Sequence, residues 1–201
     1  MSTALAPDGR PRCSWCLATP QYLAYHDHEW GFPVIEDRRL FEKLCLEGFQ
    51  AGLSWRTILE KRENFRHAFA GFDIEVLAAW GAPEVERLLQ DAGIVRHRGK
   101  IESVLNNARR AQELVRDEGS LAAWIWRHEP AAAEQAAHQG VTTSPTSIQL
   151  SKALKKRGFS FVGPTTVHAF LQSMGLINDH AKDCAVRDQV DAARAALRRP
   201  G

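Results

Sequence analysis

The sequence lacks the features of a membrane or secreted protein. No apolar run is long enough to span a bilayer, because runs such as LAAWIW are far shorter than the roughly 20 residues that a spanning helix needs. The N-terminal stretch MSTALAPDGRPRC lacks the charged and then apolar pattern of a signal peptide. The 4 cysteines in 201 residues are too sparse for a disulfide framework and are more typical of metal ligands or buried thiols. We therefore expect a cytoplasmic protein with no membrane partner.

Alternating, strand-like runs and internal repeats are also nearly absent. Instead, most apolar residues recur with the helical period, which predicts an all-α fold. A hydrophobic content of 44% is enough for a core of useful size. The net charge of +2 allows a nucleic-acid partner without requiring one.

Capping residues and apolar stripes predict helices along most of the chain. Residues 130–145 lack a strong stripe, so we expect a loop or a weak helix there, and this is the only candidate linker. The segment after it is too short to bury a core alone, and we expect it to pack against the N-terminal part. Helix starts are predicted near Asp37, Ser54, Asp73, Pro83, Lys100, Ser120, Ile148 and Thr165.

The stretch INDHAKDC places His180 and Cys184 four positions apart, so both share a face if the segment is helical. Two such side chains could coordinate zinc, although two ligands alone bind a metal weakly. The C-x₂-C pattern near the N-terminus also fits a local zinc knuckle or a redox motif, and a single Cys or His is more often a buried thiol or a surface residue. Composition leaves these alternatives open among the remaining candidates, which are Cys13, Cys16, His26 and His28.

Six blocks of the sequence, in order, resemble the 3-methyladenine DNA glycosylase I family. They are RCSW, PQYLAYHDHEWGFP, LCLEGFQAGLSWRTILEKRENFR, DAGIVRHRGKI, SKALKKRGFSFVGPTT and GLINDHAKDC. The resemblance implies a helix-hairpin-helix DNA glycosylase-like fold with a zinc site that joins the two ends of the chain. It also implies a glycosylase domain over residues 12–184, with a disordered extension at residues 1–11 and a helix or tail at residues 185–201.

The resemblance assigns a metal ligand set that omits Cys16. Two cysteines and two histidines fill the tetrahedral coordination of zinc, which leaves no position for a reactive water, so the implied zinc is structural. The implied ligands are Cys13, His26, His180 and Cys184.

The resemblance also implies a pocket for a flipped base. Its central residue is Glu47, which accepts hydrogen bonds from the base, whereas an isolated Glu at a helix end is more often exposed. Polar-tipped aromatic residues beside a carboxylate suit a planar cation such as an adenine alkylated at N3. The residues implied to line the pocket are Trp15, Tyr22, Tyr25 and Trp55.

DNA contacts are implied at two further places. Gln50 and Leu53 match residues that fill the gap left by the flipped base. Phe49, directly before Gln50, stands where a polar residue is expected. The stretch KKRGFSFVGPTT resembles a helix-hairpin-helix, with phosphate contacts expected at Lys155, Lys156, Gly158 and Gly163. An ordinary solvated basic helix with a C-terminal glycine would have a similar sequence.

The predicted function is therefore the hydrolytic release of 3-methyladenine from double-stranded alkylated DNA by a monomer, with free 3-methyladenine as the product. Asp179 lies at the distance of the general base in related glycosylases but abuts His180, and we do not assign it that role. One alternative is a non-enzymatic, zinc-stabilised helical DNA-binding module. Another is a thiol redox protein that uses Cys13 and Cys16.

Overall fold

The computed structural model describes residues 2–135 and 140–201, and this part of the chain is mostly helical. Within these ranges a single two-stranded sheet accompanies the helices, and no helix is long and apolar enough to cross a membrane. The helices are α1 (Pro20–His28), α2 (Asp37–Gln50), α3 (Trp55–Glu60), α4 (Arg62–Ala68), α5 (Ile74–Ala79), α6 (Ala82–Leu89), α7 (Arg98–Glu118), α8 (Leu121–Trp126), α9 (Ala132–Gln135), α10 (Pro145–Lys156), α11 (Pro164–Ser173) and α12 (Arg187–Ala196).

The N-terminal segment forms a β-hairpin, which differs from the disordered extension expected over residues 1–11. Thr3–Leu5 (β1) pairs antiparallel with Pro11–Cys13 (β2). Gly9 adopts a left-handed φ of +74° in the connecting turn, where a residue without a Cβ is favoured. Because β2 continues directly into the 3₁₀ helix Ser14–Ala18, the hairpin fixes the start of the chain against the body of the protein.

The central helix is α2, which packs against α3, α7, α8 and α11. Its apolar residues, such as Leu40, Phe41 and Leu44, are almost fully buried. Since neighbours cover it on several sides, two polar residues on the same helix, Lys43 and Glu47, are also buried. A charged pair is thereby placed inside the protein on its central helix.

One predicted helix cap is wrong, and the others are confirmed. Asp37 is the first residue of α2 and makes no cap there; its carboxylate instead accepts hydrogen bonds from the backbone N–H groups of Leu121 and Ala122, at 3.0 and 2.8 Å. It thus caps α8, a partner 84 residues away in sequence. The confirmed caps, whose side chains accept a backbone N–H in the first turn, are Ser54, Asp73 and Ser120.

A tight loop over residues 157–163 connects α10 and α11, which pack against each other. Asn107 of α7 holds this loop by accepting from the backbone N–H of Ser160 at 2.9 Å and donating to its carbonyl at 3.0 Å. Gly158 has a left-handed φ of +84°, and a Cβ there would lie 3.0 Å from the side chain of Arg110. The loop is therefore fixed by specific contacts to the helix beneath it.

The C-terminal segment packs back on the N-terminal one, as expected. The backbone N–H of Ala185 donates to the carbonyl of Pro11 at 2.9 Å. Of the predicted helix or tail at residues 185–201, α12 forms the helix, with Val190 fully buried. In the weakly patterned stretch 130–145, α9 is a single helical turn, and residues 136–139 lie outside the described residues.

Candidate active site and metal centre

A cavity of about 210 Å³ beside α2 is lined by aromatic rings around one carboxylate. The structure brings together in this wall Glu47 and all four aromatic residues that were predicted to line a base pocket. They come from the 3₁₀ helix, α1, α2 and α3, four successive elements of the N-terminal third of the chain. The lining residues are Trp15, Tyr22, Tyr25, Trp30, Glu47, Gln50, Trp55, Ala169 and Gln172.

The rings hold one another in fixed orientations. Trp15 meets Tyr22 edge-on with centroids 4.9 Å apart, and it meets Trp30 in the same way at 5.1 Å. Tyr25 and Trp55 form a second pair with centroids 5.5 Å apart. Edge-to-face contacts of this kind stabilise ring orientation beyond simple burial, so the shape of the cavity is largely set before any ligand enters.

Glu47 does not stand alone in the wall of the cavity. Its Oε1 atom lies 2.7 Å from Nζ of Lys43, which is also buried. The same Nζ donates to the hydroxyl of Tyr25 at 2.9 Å and lies 3.1 Å from the centroid of the Trp55 ring. Sequence reasoning missed Lys43, although its position one helical turn before Glu47 was the signal for an ion pair.

Burial acts on both members of this pair. It raises the pKa of the Glu47 carboxyl, and the Lys43 ammonium opposes that rise. It lowers the pKa of Lys43 to about 8, and the Glu47 carboxylate opposes that fall. Aromatic faces and a carboxylate in a poorly hydrated cavity attract a planar cation more strongly than a neutral ring, because both contacts strengthen with charge.

The mouth of the cavity lies between the end of α2 and the start of α11. Gln50 and the 42% exposed Leu53 border an adjoining hollow together with Thr165 and Thr166. The two residues that were predicted to fill the space of a flipped base therefore lie at the opening that leads to Glu47.

The turn after α2 is fastened by a lysine whose role the sequence left open. Nζ of Lys100 donates to the backbone carbonyls of Phe49 and Ala51 at 2.9 and 2.5 Å. This cation satisfies carbonyls at the end of α2, where the helix dipole is negative. Phe49 itself is buried against Phe65, with centroids 4.6 Å apart, so it belongs to the core.

Exposed lysines lie at the end of α10, next to the loop. Lys155, Lys156 and Gly158 are exposed, and Gly163 immediately precedes the first turn of α11. Arg157 differs from its neighbours because it pairs with Asp117 and Glu118. Lys155 and Lys156 therefore place exposed positive charge at the C-terminal end of α10.

Four potential metal ligands meet in the interior between the two chain ends. Their donor atoms all lie within 4.8 Å of one another, and Sγ of Cys184 lies 3.6 Å from Nε2 of His26 and 3.5 Å from Nδ1 of His180. In tetrahedral zinc sites with these ligand types, adjacent donors are about 3.3–3.8 Å apart, given metal–ligand distances of about 2.0–2.3 Å. The four residues are Cys13, His26, His180 and Cys184.

In both His26 and His180, the ring nitrogen that faces away from the cluster also has a hydrogen-bonding partner. Nδ1 of His26 lies 2.7 Å from Oδ1 of Asp27, and Nε2 of His180 lies 3.0 Å from the carbonyl of Trp30. Such partners orient metal-binding histidines and select the tautomer that presents the other nitrogen. Contacts from Cys13, His180 and His26 lower the pKa of the Cys184 thiol, which favours the thiolate that a metal requires. The residues present therefore fit a zinc ion.

The metal-ligand cluster and the cavity share a wall. The Trp30 ring lies 4.7 Å from that of His180, and the Trp15 ring lies 5.3 Å from that of His26. Movement at the cluster would consequently shift aromatic residues that line the cavity.

Asp179 is connected to the cavity through one intermediary. Its Oδ2 accepts a hydrogen bond of 2.6 Å from Gln172, which lines the cavity, while Asp179 itself does not. Burial raises the pKa of Asp179 to about 6. This arrangement positions Gln172 in the wall of the cavity.

Comparisons with known proteins converge on one family. The family model described as methyladenine glycosylase matches residues 15–188. The chain is 48% identical over 177 residues to DNA-3-methyladenine glycosylase 1 of Escherichia coli (strain K12), covering 86% of this chain and 95% of that protein. It is 44% identical to the DNA-3-methyladenine glycosylase of Haemophilus influenzae, covering 86% and 96%.

Solved structures agree with this similarity. The fold resembles 3-methyladenine DNA glycosylase I from Staphylococcus aureus, whose structure was solved to explain 3-methyladenine recognition. The TM-score is 0.80 and the identity is 37%, over 88% of this chain and 96% of that one.

Proposed function

Because this chain belongs to the methyladenine glycosylase family, we propose that it releases 3-methyladenine from alkylated DNA by hydrolysis of the glycosidic bond. This reaction opens base-excision repair of an alkylated purine. One observation supports the proposal most directly, which is the buried Glu47 carboxylate in a cavity walled by aromatic rings. The cavity has the chemistry that a single planar, positively charged base requires.

Selection of the damaged base follows from charge. An adenine alkylated at N3 while still attached to the sugar carries a positive ring, whereas the normal purines are neutral. A carboxylate that accepts a hydrogen bond from a cation contributes roughly 1.5–3 kcal/mol, about twice the contribution of a neutral contact. Tyr25, Trp55 and Trp15 add faces that bind a cation more tightly than a neutral ring. Normal bases are thus rejected mainly because a neutral ring gains little binding free energy from the carboxylate and the aromatic faces of this cavity.

Access to the cavity requires the base to leave the duplex. Flipping costs a few kcal/mol, and the cost is lowest for a damaged, weakly paired base. The exposed Leu53 at the cavity mouth supplies an apolar wedge that can enter the stack, and Gln50 lies beside it to contact the vacated space. Lys100 supports this role by fixing the turn that carries them.

Bond cleavage needs little help from an acid. The positive ring already draws electrons from the glycosidic bond, so the base departs as a neutral molecule while charge develops on the sugar. Water then attacks C1′ of this oxocarbenium-like sugar and gives one proton to the solvent, which leaves a hydroxyl group on C1′. The Glu47 carboxylate holds the departing base, and its negative charge lies close to the developing positive charge.

The α10–α11 hairpin is proposed to hold the DNA backbone as a helix-hairpin-helix. Glycines at positions 158 and 163 allow backbone N–H groups to approach a phosphate, and the start of α11 contributes the positive end of its dipole. Lys155 and Lys156 add charge at the same end. We propose that the protein acts as a monomer on double-stranded DNA.

The Cys13, His26, His180 and Cys184 cluster is proposed to hold one structural zinc ion. All four coordination positions are filled by protein side chains, so the metal would stabilise the fold and leave no position for a reacting water. Its influence on activity would pass through Trp15 and Trp30, which lie between the cluster and the cavity.

The test is base release from methylated duplex DNA under single-turnover conditions, with 3-methyladenine and 7-methylguanine quantified by chromatography. The proposal expects efficient release of 3-methyladenine and little release of 7-methylguanine. Preferential binding of alkylated DNA without release of any base would contradict it and would favour a non-enzymatic DNA-binding module.

A further inference from the structure

Lys43 already makes the contacts that a cationic base would seek in the cavity. Its Nζ lies 2.7 Å from Oε1 of Glu47, 2.9 Å from the Tyr25 hydroxyl and 3.1 Å from the centroid of the Trp55 ring. All three partners line the cavity, whereas Lys43 lines a separate hollow together with Glu29. The carboxylate proposed to recognise the base therefore has a cation of the protein itself as its partner.

We propose that Lys43 is a specificity-determining residue that weakens the preference for a cationic base while its ammonium is charged and releases a proton when such a base binds. The inference rests on the proposed function of the cavity. Lys43 acts through Glu47, Tyr25 and Trp55 and does not itself touch the base.

The physical reason is that one buried carboxylate neutralises one cation well and two cations poorly. A cationic base entering beside Glu47 meets the repulsion of the Lys43 ammonium in a poorly screened environment. The conflict is relieved if the ammonium passes one proton to water, which leaves a neutral amine that can still donate to Glu47 and Tyr25. A neutral base brings no such conflict, so its affinity does not depend on the charge of Lys43.

This proton is within reach of ordinary pH. Burial lowers the pKa of Lys43 to about 8, with Glu47 acting in the opposite direction. Burial raises the pKa of Tyr25 well above its ordinary value, so it stays neutral. The titratable and charged groups that face Lys43 from α1, α2, α4 and the segment after α1 are Tyr25, Glu29, Arg39, Glu42, Glu47, Arg62 and Arg66.

Two of these neighbours also keep their charges. Although burial opposes it, the hydrogen bond from Arg62 brings the pKa of Glu29 below its ordinary value. The same contact brings the pKa of Arg62 above its ordinary value in spite of burial. Lys43, with a pKa of about 8, is expected to change its charge between about pH 7 and 9.

The experiment measures affinity of the full-length protein for two free ligands by calorimetry. One ligand is 3,9-dimethyladeninium, which is permanently cationic, and the other is 3-methyladenine, which is neutral in this pH range. With a Lys43 pKa of about 8, cation affinity should rise roughly tenfold from about pH 7 to 9, while affinity for the neutral base stays level. Buffers with different ionisation enthalpies should reveal release of up to one proton with the cation alone.

Two variants separate charge from shape. Lys43→Arg keeps a positive charge throughout this range, so it should bind the cation weakly at every pH and release no proton. Lys43→Met has no charge, and at about pH 9 it should match the wild-type cation affinity, because Lys43 is then mostly neutral. If Lys43→Met does not fold, the wild-type pH series and Lys43→Arg still decide the question.

Each result bears on the inference. Identical pH profiles for the two ligands in the wild type, or undiminished proton release in Lys43→Arg, would overturn the role of Lys43 while leaving the proposed function intact. Failure of the wild type to bind either ligand at any pH would overturn the proposed function, and the inference with it.

Discussion

At the scale of single residues, Glu47 is under two opposing demands. In the proposed role it must remain a carboxylate to attract a cation, yet it is only 4% exposed, and burial favours its neutral form. Lys43, one turn earlier on α2, offsets that tendency by pairing with it at 2.7 Å. The pair therefore maintains a charged acceptor in an environment where an isolated carboxyl would tend to be protonated.

Glu47→Gln tests the recognition role at this scale. The amide keeps the shape but cannot make a charge-assisted bond, so we expect affinity for 3-methyladenine and single-turnover excision to fall together by roughly tenfold to a hundredfold. A general base would behave differently, because excision would collapse while free-base binding survived. Glu60→Gln, an exposed change on the neighbouring α3, is the matched control and should leave both quantities unchanged.

Glu47→Gln is also expected to lower the free energy of unfolding. It leaves the buried Lys43 ammonium without its carboxylate, and breaking a buried ion pair from one side costs about 3–5 kcal/mol, less whatever Lys43 recovers by losing its proton. The double variant Lys43→Met/Glu47→Gln should therefore unfold at a higher denaturant concentration than Glu47→Gln alone. If the double variant instead unfolds at a lower denaturant concentration than Glu47→Gln, the unpaired Lys43 ammonium is not the cause of the destabilisation.

At the scale of secondary-structure elements, the α10–α11 hairpin is linked to the cavity through its neighbours. Asn107 of α7 holds the loop, and the first turn of α11 borders the cavity mouth. Lys100 of the same α7 holds the turn at the end of α2. One long helix thus positions both the segment proposed to grip phosphate and the segment proposed to enter the base stack.

Charge removal on α10 tests the first of these segments. Lys155→Ala/Lys156→Ala should weaken DNA binding and reduce the slope of log affinity against log salt by roughly one unit for each lost phosphate contact. The ratio of 3-methyladenine to 7-methylguanine released should not change, because the cavity is untouched. Lys182→Ala/Arg198→Ala removes two exposed charges from the C-terminal segment and is the control; an equal change in slope there would indicate a general effect of net charge.

At the scale of the whole molecule, the two ends of the chain meet at the metal-ligand cluster. Cys13 follows directly from the N-terminal hairpin, and Cys184 directly precedes the residue whose N–H donates to Pro11. A zinc ion there would close nearly the entire chain into one loop. Binding energy at a structural zinc site contributes directly to folding, so the metal would stabilise both ends and the aromatic wall beside them.

Cys13→Ser and Cys16→Ser form a matched pair, since both cysteines are fully buried and only three positions apart. We expect one zinc per chain in the wild type and in Cys16→Ser, measured by elemental analysis. Cys13→Ser should lose the metal and on the order of several kcal/mol of unfolding free energy. Zinc retained by Cys13→Ser and lost by Cys16→Ser would reassign the ligand.

Local sequence signals predicted the elements that depend on neighbours in the chain. Ser54, Asp73 and Ser120 cap the helices they precede, because a cap contacts N–H groups only two or three residues ahead. The helix predicted to start near Lys100 is confirmed as α7 for the same reason, since its apolar stripe recurs from Ile101 to Leu114. The predicted helix starts near Ile148 and Thr165 fall within one turn of the observed ones, where a proline sets the first helical position.

The tertiary structure alone decided which groups meet across the chain. Asp37 caps α8, which lies 84 residues away, and not its own helix, and Lys43 is buried against Tyr25 and Trp55 of the flanking helices α1 and α3. The chemistry of the cavity likewise depends on four separate segments converging on Glu47. The sequence determined the helices and supplied the donor types, since these depend on local periodicity and side-chain chemistry; their distances, burial and altered proton affinities depend on long-range packing.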